Sequence, residues 1–296
     1  MAAMTRLAAA VLTLCVALAA RAGPYEGPIF DAHLHYNDDA VALHSIGTVR
    51  ELFEKNGVAA ILANSRPNDG TRALYEAAKG WRTPVVVPFI RVYRNRADYG
   101  TWFDNPEILA MIVAEERRGF YKGVGEFHIH GRSAAGKVVK DIVAFAVSKN
   151  LVLHAHCDEE ALELLFGHDS RVRIIWAHTG FHTPLARVEE LLARYPGLLG
   201  ELSYRSDVTS GGRLSPAWKA LFEKHPTRFI VGSDTWVNER WDSYPSIMGE
   251  YRRWLGELPA AVAERVAWRN AAELLQVSRV SSLENAAVSA RTRKTP

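Results

Sequence analysis

The chain has 296 residues, 48% of them hydrophobic and 23% charged, with a formal net charge of +3. That length suits one large domain, since single α/β barrels commonly run to ~250 residues, and the apolar share excludes global disorder. The basic residues are scattered rather than gathered in one stripe, which excludes a nucleic-acid footprint, so no nucleic-acid partner is expected.

In chain order, residues 1–22 read as a signal peptide. Arg6 supplies an early positive charge, residues 7–20 are apolar, and small residues at Ala20 and Ala22 set cleavage after Ala22. The run is shorter than the ~20 apolar residues of a spanning helix, which makes an uncleaved anchor the weaker alternative. The expected mature protein is exported, periplasmic or secreted, with no stable membrane span. Cys15 leaves with the leader, so Cys157 has no partner for an intramolecular disulfide.

From Ile29 onward, eight short apolar or β-branched runs alternate with longer helical patterns: 29–32, 58–63, 85–90, 123–127, 151–155, 172–177, 198–202 and 228–232. Their starts lie roughly 20 to 40 residues apart, room for one strand, one crossover helix and two loops. Eight such units predict an α/β fold, a single (β/α)8 TIM barrel over 23–278. Residues 48–53 and 184–192 open amphipathic helices, the second with Thr183 as expected cap and Pro184 at the first helical position. Residues 91–106, rich in Tyr, Arg, Asn and Asp, form the longest loop-like insert and are expected over one mouth of the barrel. Residues 279–296 are small, polar and basic and read as a flexible tail.

In such barrels, side chains at the carboxyl ends of the strands converge on one cavity. Those ends read His33 and His35, Asn64, Arg91, Glu126, His156, His178, Ser203 with Arg205, and Asp234. Alternate residues of a strand share a face, so His33 and His35 project together as two ligands for one cation. His156 is the expected ligand of the fifth strand, with His154 one layer deeper, either hydrogen-bonded within the barrel or a ligand itself. His178 reads as a ligand or a substrate polariser. Asp234 can bind the cation and take a proton from its water, the general-base role that hydrolysis needs; its alternative is a helix cap at Thr235. Glu126 can bridge two cations, hold one, or orient a ligand histidine. His128 shares its face if the strand continues, whereas His130 falls in the loop. His44, His168 and His225 read as surface residues. Arg91 and Arg205 are candidates for orienting an anionic substrate through forked hydrogen bonds, or for loop salt bridges.

Together, Asp31-Ala32-His33-Leu34-His35, Gly125-Glu126, His156, Ala177-His178-Thr179-Gly180, Gly232-Ser233-Asp234 and the late Arg269-Asn270-Ala271-Ala272-Glu273-Leu274-Leu275 resemble the amidohydrolase superfamily, in its branch of amidohydrolase-related, metal-dependent hydrolases. The resemblance covers nearly all of the mature chain. It implies a (β/α)8 barrel, one or two divalent cations, often zinc, and water activated against an electrophilic carbon or phosphorus centre. It places His33, His35, His156 and Asp234 at metal positions and His178 as ligand or catalytic histidine. Glu126 stands where several relatives carry a lysine that becomes carboxylated, and Lys122 lies too early in its strand to replace it. The expected activity is hydrolysis of an amide, ester or lactone bond of a small molecule. The alternatives are a decarboxylase or other lyase of the same superfamily, and a catalytically silent metal-binding protein of the cell envelope.

Overall fold

The structure is a computed structural model that describes residues 23–278; the expected leader (1–22) and tail (279–296) lie outside the described residues. Eight strands follow one another around one sheet: β1 (Ile29–Leu34), β2 (Val58–Ala63), β3 (Val85–Ile90), β4 (Gly123–Ile129), β5 (Val152–Cys157), β6 (Ile174–Trp176), β7 (Leu198–Glu201) and β8 (Phe229–Ile230). Each pairs in parallel with the next. Between β8 and β1 the ring is closed by the Ala32 N–H donating to Val231 O at 2.9 Å and the Asp234 N–H donating to His33 O at 2.6 Å.

A longer helix follows each strand: α1 (Ile46–Lys55), α2 (Asp69–Ala78), α3 (Pro106–Glu116), α4 (Lys137–Ser148), α5 (Glu159–His168), α6 (Leu185–Arg194), α7 (Pro216–Lys224) and α8 (Tyr244–Leu255), with short helices at Asp38–Leu43, Asn238–Asp242, Ala260–Glu264 and Asn270–Leu275 besides. This is the expected (β/α)8 barrel. Local chemistry sets several helix starts. Ser45 accepts the Thr48 N–H, Asn105 accepts the Glu107 N–H ahead of Pro106, and Asp158 accepts the Ala161 N–H. Thr183 does not cap α6 as expected: its hydroxyl donates to Gly180 O within the turn after β6, and the helix begins at Leu185.

The strands read as unbroken apolar runs because both faces are covered. Phe30, Ala60, Leu62, Val87, Phe89, Ile175, Leu199 and Ile230 fill the barrel interior, closed at one end by Trp268, Ala271 and Leu275. Leu34, Ile61, Ile90, Leu153 and Trp176 pack outward with Phe53, Leu74, Ile112 and Leu165 of the helices. Among the described residues no helix is long and apolar enough to cross a membrane.

The seam between β1 and β8 carries a buried carboxylate. Asp31 accepts from the Ser233 N–H at 2.8 Å, the Ser233 hydroxyl at 2.6 Å and the Tyr244 hydroxyl of α8 at 2.8 Å. Burial pushes its carboxyl up to about 6 against those hydrogen bonds. Gly232 lets the strands approach, since a Cβ there would sit 2.4 Å from His33 Cβ and 2.6 Å from Glu201 Oε1. Ser233→Ala removes one of the three hydrogen bonds named above that compensate this buried acid, at the seam that positions Asp234. Its unfolding free energy in urea should fall by about 1–3 kcal/mol, and an unchanged value would contradict the role of Asp31 as the tie across the seam.

Candidate metal centre

His33 and His35 reach the barrel mouth through an irregular strand end. Phe30 and Ala32 point into the barrel, and the pairing of β1 with β2 slips between Asp31 and Leu34, after which both imidazoles turn to the mouth. Each ring is held by its Nδ1. His33 Nδ1 lies 2.9 Å from Glu201 Oε2 and His35 Nδ1 lies 2.7 Å from Asn64 O, both acceptors. With the proton on Nδ1, both Nε2 lone pairs face the same space, 3.1 Å apart.

Two carboxylates complete that space. Glu126 Oε2 lies 3.5 Å from His33 Nε2 and 3.3 Å from His35 Nε2, and Asp234 Oδ1 lies 3.4 Å and 3.0 Å from the same atoms. Four ligands bound tetrahedrally at zinc-like distances are spaced by about 3.3 Å. The measured edges bracket that value, so the chemistry and the geometry of the set both fit a divalent cation. All four residues are buried. Asp234 is not a helix cap, since the next helix begins at Asn238 with Val237 before it.

The expected histidines of β5 and β6 stand on the cavity side. His156 Nδ1 lies 3.1 Å from Glu126 Oε1; His178 Nε2 lies 3.7 Å from that oxygen and 3.9 Å from Asp234 Oδ2. His178 Nδ1 donates to Ser203 O at 2.9 Å, which fixes its ring. The chain bends sharply to achieve this. His178, Thr179, Phe181, Tyr204 and Asp234 all have φ between 45° and 56°, a region that costs a non-glycine residue of order 1–3 kcal/mol each. This turn is also why β6 stops at Trp176, short of the expected run. β4 does continue, and His128 lines the cavity: the Tyr93 hydroxyl oxygen accepts the His128 backbone N–H at 2.6 Å, and the same hydroxyl donates to His128 Nδ1 at 2.8 Å. Burial pushes this imidazole down to about 3, so it is neutral. His130 lies outside the strand and is exposed, as expected.

Glu201 is the site residue that strand-end reasoning missed. It sits inside the apolar β7, where a lone acid among Leu198, Leu199 and Gly200 was the available signal, and it accepts from His33, the Ser203 N–H and the His178 N–H. Arg205 does not face the cavity. Its guanidinium donates to Thr179 O and Thr183 O and pairs with Asp207, fastening the loops after β6 and β7, so the substrate role expected for it is withdrawn. Arg91 does line the cavity, but it lies against Asn64 Oδ1 and the His35 ring, with Nη2 3.3 Å from Glu126 Oε2; its charge serves the ligand carboxylate. His154 is buried with its ring 4.3 Å from that of His33, and among the described residues neither nitrogen has a hydrogen-bond partner, contrary to one expectation for it. His44, His168 and His225 are half-buried rather than surface residues; His168 Nε2 donates to Ala134 O and His225 pairs with Glu189.

Burial would raise the carboxyls of Glu126, Asp234 and Glu201, yet all three are held below the usual range, Asp234 and Glu201 chiefly by His33, and Glu126 by His128 and then His33. Conversely, burial would lower His33, but Asp234, Glu126 and Glu201 push it well up. Once the imidazoles give up their protons to act as ligands, three ionised carboxylates against the single guanidinium of Arg91 leave a buried deficit of two positive charges. A divalent cation supplies that charge in place of protons. Above the centre opens a cavity of about 650 Å³, lined by Glu126, His128, His156, His178 and Asp234 on its floor and by Arg66, Tyr99, Phe181, Tyr204 and Trp236 on its walls.

No protein-family model and no curated protein matches the chain. Solved structures do. An amidohydrolase from Burkholderia multivorans with bound HEPES is 18% identical, with a TM-score of 0.57 over 85% of this chain and 100% of that one. A second crystal form with bound zinc gives a TM-score of 0.56 over the same shares. A protein from Pseudomonas putida described as a 2-pyrone-4,6-dicarboxylic acid hydrolase is 13% identical, with a TM-score of 0.55 over 84% of this chain and 97% of its own. A TatD-family hydrolase from Entamoeba histolytica is 12% identical, with a TM-score of 0.56 over 87% and 99%. The chain therefore shares its barrel fold with these proteins over nearly their whole length.

Proposed function

We propose that the chain is a metal-dependent hydrolase of the amidohydrolase superfamily, acting on an amide, ester or lactone bond of a small molecule. The observation that carries this reading is the tetrahedral spacing of His33 Nε2, His35 Nε2, Glu126 Oε2 and Asp234 Oδ1 at the floor of an open cavity. The barrel likeness to amidohydrolases, one of them with bound zinc, supports it. Zinc suits a set of two imidazoles and two carboxylates. A divalent cation held there supplies Lewis-acid polarisation of a carbonyl and lowers the pKa of a bound water toward ~7.

The chain's own residues do the rest. Asp234 keeps Oδ2 on the side of His178, so the proton of an attacking water has an acceptor facing the cavity. His178, anchored through Nδ1, turns Nε2 to the same space and, when protonated, donates to the oxygen on which charge develops. Its pKa is raised: burial opposes the charged form, but Glu126, Glu201 and Asp234 outweigh it. Glu126 Oε1, His156 and His178 form a wider set, the place for a second cation if two are held. Glu201 and Asn64 act through the ligand histidines that they orient.

Two substitutions test this. Asp234→Asn keeps three ligands but loses the proton acceptor. In the zinc-loaded protein, kcat on an ester and lactone panel should fall by at least about 100-fold with metal still bound; undiminished turnover would refute the base role, and release of carbon dioxide in place of a hydrolysis product would indicate a lyase. Glu201→Gln removes the anionic partner of His33 without touching the four ligand atoms. Competition with a chelator should read a zinc affinity weaker by about 10- to 100-fold, and an unchanged affinity would contradict the orienting role of Glu201.

A further inference from the structure

The two ligand carboxylates are used by the metal centre, which leaves the charge of the remaining cavity wall to be accounted for. Arg66 and Arg96 line that wall with Asp39, and no other acid joins them. Arg66 is nearly buried, at 9% side-chain exposure, and is fixed from several directions. Its backbone N–H donates to Asn37 Oδ1 at 2.8 Å, Nη1 donates to the Tyr99 hydroxyl at 3.1 Å, and the guanidinium lies 5.8 Å from the centroid of the Tyr99 ring. Nη2 reaches Asp39 Oδ1 at 3.3 Å, while Arg96 Nη2 stands 3.6 Å from Asp39 Oδ2. Asp38 also comes within 3.6 Å of Arg66, but from solvent and outside the cavity lining. One carboxylate is thus already forked between two guanidiniums, and the cavity-lining charges leave one of the two guanidiniums in excess.

Burying an arginine this far, with an aromatic hydroxyl to orient it, is a costly way to make a surface salt bridge and an effective way to recognise a carboxylate. The aromatic part of the lining is formed by the rings of Phe181, Tyr204 and Trp236, with the indole N–H of Trp236 donating to the Tyr204 hydroxyl at 2.9 Å. His178, Glu126, His156 and Asp234 line the same cavity. We propose that the substrate is a small organic anion, with a carboxylate held by Arg66 and Arg96 beside Asp39, an apolar or planar body against Phe181, Tyr204 and Trp236, and its scissile carbonyl over the ligand set. The inference rests on the hydrolase reading above and adds the class of molecule to it.

The test uses the zinc-loaded enzyme with aryl esters and δ-lactones made in matched pairs, one member with a free carboxylate and the other with an uncharged hydroxymethyl group at the same position. The carboxylate member should show a kcat/KM at least tenfold higher, carried mainly by KM, and Arg66→Gln and Arg96→Gln should each erase most of that preference. Arg96, with 79% of its side chain exposed, can be replaced without threat to the fold. Equal kcat/KM for the two members overturns the proposal and leaves the hydrolase reading standing. Absence of turnover for every pair overturns the hydrolase reading instead, and the anion proposal is then read by calorimetry with benzoate and benzyl alcohol. Benzoate-selective binding that is lost in both arginine variants supports it. Benzoate binding that neither substitution weakens, as a carboxylate on the metal alone would give, or no preference for benzoate, overturns it.

Discussion

The arrangement depends on one electrostatic constraint: four electron-rich atoms, two imidazole nitrogens and two carboxylate oxygens, are held about one tetrahedral edge apart in a buried space. Brought together without a positive charge, such atoms repel, and in a low-dielectric interior the penalty is several kcal/mol. The surrounding structure does not relieve the crowding but enforces it. Glu201 and the Asn64 carbonyl fix the Nδ1 protons of His33 and His35, so that neither ring can turn its lone pair away. Arg91 steadies Glu126 from behind, and the Asp31–Ser233 tie delivers Asp234 at the seam where the barrel closes. A divalent cation would satisfy all of these groups at once.

The backbone bears part of the cost. The left-handed conformations at His178, Thr179, Phe181, Tyr204 and Asp234 cluster at the ends of the sixth, seventh and eighth strands, where the chain leaves the barrel directly over the metal set. Short strands at β6 and β8 follow from the same demand, because the chain must turn early to aim His178 and Asp234 inward. Strain concentrated at the mouth is tolerated because the rest of the barrel is packed on both faces of every strand.

Much of this was legible in the sequence because strand-end polarity in an otherwise apolar chain is a strong signal. The spacing of the eight runs gave the barrel, and His33, His35, Glu126, His156, His178 and Asp234 do converge on one space. What sequence position alone does not encode is direction. Arg91 and Arg205 both follow strands, yet one turns toward the ligands and the other toward the carbonyls of Thr179 and Thr183. Glu201 was passed over because it lies within its strand rather than beyond it, although an acid in an apolar strand needs a buried partner. Thr183 had the right residue type for a cap, but a competing acceptor, the Gly180 carbonyl, was nearer. Arg96 and Tyr99 belong to the 91–106 insert expected over one mouth of the barrel, and both line the cavity there, whereas Arg66 is brought to it by packing against Tyr99, which no local pattern reveals.

The central claim is that His33, His35, Glu126 and Asp234 share one divalent cation, and the direct test is a crystal structure of the zinc-loaded protein with anomalous data collected on both sides of the zinc absorption edge. The account predicts a strong peak about 2.0–2.2 Å from His33 Nε2, His35 Nε2, Glu126 Oε2 and Asp234 Oδ1. A peak elsewhere, or an empty site with His33 Nε2 hydrogen-bonded to a carboxylate in its place, would contradict it.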